Sequence, residues 1–150
     1  MESKQQASIY HEVPGGPELL SWFGQVPSFH DAEILSLDLR RKQQSVLRVH
    51  GWITTDKVGA TGYLILARQA VVSFHLEGIM DLQLDGFSVQ NVINGLVLRR
   101  ALDRPERRNY FSLAPLPEDI EIELEPCFGM DGLIRARSVS ITFEPGEPAD

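Results

Sequence analysis

The segment Asp119-Ile-Glu-Ile-Glu-Leu-Glu-Pro126 sets Ile120, Ile122 and Leu124 against Glu121, Glu123 and Glu125 in strict alternation. Successive side chains of an extended chain point to opposite faces, so this pattern predicts a strand with an apolar face and a face of three carboxylates. A helix would scatter the same residues around its circumference. The acidic face must therefore be wetted or partnered.

The same period recurs along the chain. Leu35, Leu37 and Leu39 oppose Ser36, Asp38 and Arg40, and Leu47, Val49 and Ile53 oppose Arg48, His50 and Trp52. The polar run from Lys42 to Ser45 reads as the turn of a hairpin joining these two strands. Val71, Val72, Phe74 and Leu76 predict another strand, followed by one in which Met80, Leu82 and Leu84 alternate with Asp81, Gln83 and Asp85. Gly78 and Gly86 punctuate them by a bulge or a turn. Between Phe87 and Arg100, helical spacing of Val89, Val92 and Ile93 competes with the turn dipeptide Asn94-Gly95, and the segment reads as a turn and a strand. Gly129 and Gly132 can turn the chain into a last strand ending near Pro145. The helix candidate runs from Pro17 to a stop at Gly24, packing Leu20 and Phe23 on the sheet.

These elements predict a mainly β fold: a single antiparallel β-sandwich or curved-sheet domain with a short N-terminal helix. The domain is expected over residues 17–146, with a partly flexible extension at 1–16 and a frayed tail at 147–150. A chain of 150 residues, 43% apolar, can bury a core without covalent staples. Cys127 is the single cysteine, which precludes an internal disulfide and suits a reducing cytoplasm; it reads as a buried free thiol. The first residues lack the apolar stretch of a secretory leader, and no run of about eighteen apolar residues offers a membrane-spanning helix.

With 14 basic and 21 acidic residues, the formal net charge is −7, which argues against a nucleic-acid binder because phosphate neutralisation needs surplus cations. The charge is uneven. Residues 99–108 carry five arginines, whereas nine acids follow from Glu118 onward. A basic or neutral partner fits such a chain better than an acidic one.

Chemistry would have to be assembled by the fold. His30, Asp31, Glu33, His50 and His75 are of the types that hold zinc or iron or move protons near neutral pH. They lack the short spacings of HExxH or paired CxxC sites, and neither a GxSxG elbow nor a phosphate loop is present. No cofactor is expected. In Pro27-Ser-Phe-His-Asp-Ala-Glu33 the structural reading is a brace at a strand entry: Ser28 or Asp31 fixes nearby amides, Phe29 enters the core and His30 donates to a carbonyl.

The FHDAE corner, the segment from Asp85 to Ile93 (Asp-Gly-Phe, then Gln-Asn-Val-Ile) and the Phe128-Gly to Gly132 turn occur in an order that resembles the immunity protein 50 family of bacterial polymorphic toxin systems. The likeness spans about residues 20–146. It implies a small cytoplasmic protein that binds a cognate toxin domain and neutralises it, a binding function and not an enzyme. On that reading Glu121, Glu123 and Glu125, then Asp81 and Asp85, are the candidates for meeting a basic toxin surface. Two alternatives stand beside it: a metal-binding or hydrolase-like protein using His30 and Asp31 with His50 or His75, and a ligand-binding module presenting Trp22 or Trp52. A free sheet edge would also permit a homodimer.

Overall fold

The structure, a computed structural model, describes residues 8–60, 62, 64–106 and 114–149, without side-chain detail at 55–57 and 64–66. A short 3-10 turn at Ile9–Glu12 and helix α1 (Gly16–Phe23) precede six strands. These are β1 (Glu33–Asp38), β2 (Ser45–Val58), β3 (Leu64–Asp85), β4 (Val92–Arg100), β5 (Ile120–Phe128) and β6 (Asp131–Pro145). All pairings are antiparallel, in the order β1-β2-β3-β6-β5-β4. The first and last strands of this order meet at one register pair, Glu33 with Val92, which closes the sheet on itself.

The expected class is therefore the one the chain adopts: mainly β, antiparallel, with one short helix. The two strands expected around Gly78 are a single strand, β3. Gly78 takes a φ of 67° inside it, and a register shift follows between Ile79 and Asp81. This bend lets β3 pair with β2 up to Leu76 and with β6 from Ala70 to Asp85, so one strand serves both halves of the sheet.

Alternation places the core. Ala70, Val72, Phe74 and Leu76 of β3 point inward with Leu47 and Val49 of β2, Ile122 and Leu124 of β5, and Ile134 and Ile141 of β6. In β1 a register shift between Ile34 and Ser36 makes Ile34 the buried residue, leaves Leu37 half-buried, and ends the strand before exposed Leu39. The row of leucines does not share one buried face, because a bulge reverses the facing of the residues beyond it.

Asn94-Gly95 does not turn the chain. It lies inside β4, where two register shifts absorb it. Gly95 is needed for close approach: a Cβ there would sit 2.5 Å from Glu125 Oε1 and 3.3 Å from the Ser28 carbonyl oxygen. Helix α1 ends at Gly24 as expected; Phe23 is buried and Leu20 partly buried against the core as expected, and Leu19 is buried with them. Residues 8–16, expected as an extension, pack on the barrel: Tyr10 and Val13 are buried, and the Pro14 carbonyl accepts from Ile141 N–H at 2.7 Å. The expected flexibility of residues 1–7, and the final Asp150, lie outside the described residues.

Candidate functional site

The PSFHDAE corner forms the closure. Ser28 Oγ accepts from His30 N–H at 3.2 Å, and Phe29 O accepts from Ala32 N–H at 3.0 Å. Phe29 and Asp31 take left-handed backbone angles, φ 60° and 63°. A phenylalanine pays a conformational cost there that surrounding contacts must offset. Its ring is buried edge-on to Phe23 and Phe74, at 6.1 and 6.0 Å, and lies over Gly51. Four backbone hydrogen bonds then tie the corner to β4 and the residue before it: Asp31 N–H to Ile93 O, Ile93 N–H to Ala32 O, Leu96 N–H to Ser28 O, and Ile34 N–H to Asn91 O.

His30 Nδ1 lies 3.0 Å from the Asn94 carbonyl, which can only accept, so this nitrogen carries the proton. Its Nε2 is 3.5 Å from Asp31 Oδ2, both side chains being more than half exposed. The other histidines stand apart. His50 faces Glu33 across the β1–β2 pair, while its Nε2 meets Gln69 Oε1 at 3.0 Å and its ring stands against Trp52. His75 Nε2 meets Thr142 Oγ1 at 2.8 Å. Among the described residues, no three His, Cys, Asp or Glu side chains gather as a metal-ligand group. Trp22 donates to the Arg68 carbonyl and lies under the Arg68 guanidinium, so it is tied into the surface.

The acidic face of β5 is largely closed by arginines. Glu121 is 1% exposed and pairs with Arg99 and with Arg104 at 2.7 Å. In register across four strands, Asp81, Arg135, Glu121 and Arg99 form one row of alternating charge. Glu123 also pairs with Arg99, at 2.7 Å, and Asp119, fully buried, accepts from Arg137 at 2.8 Å. The arginine-rich run and the acid-rich run thus neutralise each other, as a buried carboxylate requires. Glu121, expected on a face open to a partner, is a structural residue. Glu125 is half-buried over Gly95. Arg107 and Arg108 lie outside the described residues.

Asn91 joins the other two segments of the resemblance. Its buried Oδ1 accepts from Ser88 N–H and Met130 N–H, each at 2.9 Å, and its Nδ2 donates to Ser88 O. Gly129, at φ 89°, leaves no room for a side chain: a Cβ would lie 2.4 Å from the Gln90 carbonyl oxygen. The FHDAE corner, the loop after β3 and the β5–β6 turn therefore meet at one end of the barrel, with Asn91 bonded to the loop, to the turn and to Ile34, the residue that follows the corner.

That end is also where large apolar side chains face water. Phe87 is 79% exposed, Val89 fully exposed and Phe128 57% exposed. Beside them Asp85 and Asp131 are register partners, two carboxylates opposite each other with no cation paired to either among the described residues. Cys127, expected to be buried, is exposed here too. Phe87, Val89, Phe128 and Asp131 were missed by strand periodicity, although apolar residues in an Asn/Gly/Ser-rich loop are a signal of their own. Comparison with protein-family models, with curated proteins and with solved structures gave no match.

Proposed function

We propose that this protein is an immunity-type binding protein that neutralises a cognate toxin domain by stoichiometric occlusion. The observation that carries the reading is the exposed apolar group Phe87, Val89 and Phe128 beside the register pair Asp85 and Asp131, to which no cation is paired among the described residues. Aromatic anchors with an electrostatic complement are the chemistry of a protein-binding surface: the rings supply affinity, and the carboxylates speed encounter with a basic partner. The surface is mounted on loops pinned by buried Asn91, so little ordering entropy opposes binding. The order of segments resembling immunity protein 50 supports the same reading, since those segments build this end.

The test is co-expression with the product of the neighbouring reading frame, whose toxicity is measured with and without this chain. The expected outcome is growth rescue and one-to-one capture. Phe87→Ala combined with Phe128→Ala should weaken capture at least about tenfold while the melting temperature stays within a few degrees. Rescue without capture would overturn occlusion.

A further inference from the structure

The strand pairings leave two edges open on the same flank. Beyond Leu76, β3 has β6 on one side and, among the described residues, no strand on the other. Beyond Ile34, whose N–H bonds the Asn91 carbonyl, β1 likewise has β2 on one side alone among the described residues. The two free edges border one slot. A cavity of about 410 Å³ separates Ile34–Leu37 from Leu84–Phe87, with Met130 at its base. A second of about 380 Å³ lies next along the same two segments, between the turn at Leu39–Gln43 and Leu76–Leu82. Leu37, Ile79, Leu82 and Leu84 are half-buried against the core along it.

Resting on the binding reading above, we infer that this slot receives an extended segment of the partner protein, which adds as a strand to the β3 edge between Ile79 and Asp85. Unpaired backbone donors and acceptors on a strand edge are a template for another chain, and alternate side chains of that chain would enter the apolar slot. The charges select the occupant. Asp85 and Asp131 stand at the Phe87 end, and like charges opposite one another on paired strands repel until a cation joins them. Arg41 lines the other end. The segment that fits has alternating apolar residues, a lysine or arginine at one end and an acidic residue at the other, with Phe87 closing over it.

The experiment is hydrogen exchange on the full chain, alone and with the product of the neighbouring reading frame. Slowed exchange of the amides between Ile79 and Asp85 in the complex, and at least about tenfold weaker capture by Asp85→Lys, are the expected results. A stable complex that leaves those amides unchanged overturns the slot and keeps the binding reading. If no complex forms, the binding reading fails, and the slot is read directly with a synthetic octapeptide of alternating valine and threonine. Lysine and glutamate are placed at its ends in both orders. Binding that is lost on N-methylation of its backbone supports strand addition, and no binding at about 1 mM overturns it. Protection of the same amides in the protein alone, with a dimer by sedimentation, also overturns it, because the occupant is then a second copy.

Discussion

At the residue scale, two buried side chains carry separable consequences. The Tyr10 hydroxyl is buried with no hydrogen-bond partner among the described residues, and burial pushes its pKa well above the ordinary tyrosine value. The folded state therefore holds the phenol neutral. Its contribution is fully present below about pH 10, where the unfolded chain is also neutral, and is lost as rising pH ionises the unfolded phenol first. Tyr10→Phe is expected to leave stability unchanged or raise it by about 1 kcal/mol near neutrality, and to flatten the alkaline loss. Urea midpoints at about pH 8 and about pH 11 measure this. Gly51 acts through space: a Cβ there would meet the Phe29 ring at 2.8 Å. Gly51→Ala is expected to cost about 1–3 kcal/mol by displacing a ring held in a left-handed backbone, read in the same denaturation experiment.

At the scale of elements, the outer face of β5 separates glutamates that look equivalent in sequence. Glu121→Gln leaves Arg99 and Arg104 without their shared carboxylate. Because both arginines keep about a quarter of their side chains in water, the expected loss is about 2–3 kcal/mol, below that of a fully buried pair. Glu125→Gln should stay within about 0.5 kcal/mol. Equal losses would mean that Glu121 is no more enclosed than its neighbour. Asn91→Ala removes the acceptor of a buried amide, Met130 N–H, and is expected to cost about 2–3 kcal/mol with faster exchange of that amide. Alternation made β5 legible, yet it identifies only which side chains share a face. Which of them is enclosed depends on the segment after β4, whose Leu102 N–H and Arg104 reach Glu121.

For the whole molecule, stability is unevenly distributed. Strand β3 is flanked by β2 and β6 over Ala70–Leu76, whereas closure between β1 and β4 rests on one register pair and a few backbone bonds of the corner. Hydrogen exchange is expected to show the Ile34 and Ile93 amides opening at lower free energy than those of Val72 and Phe74. Uniform protection around the barrel would contradict this. The closure was only partly legible beforehand. Ser28, Phe29 and His30 could be read as a brace from their chemistry, but the partner of His30, the Asn94 carbonyl, lies 64 residues away.

The sequence by itself determined the class of fold, because alternation is a property of neighbouring residues and a period of two has one regular solution, the strand. It also determined where α1 ends, since Gly24 takes the left-handed angle that other residues resist. Tertiary structure alone decided that β3 is one bent strand, that Asn94-Gly95 continues instead of turning, that Glu121 is enclosed by arginines, and that two strand edges have no strand beside them among the described residues. Each of these depends on which distant segments come within a few ångströms. Local pattern carries no such information, because the free energy of those contacts arises only when the chain has closed upon itself.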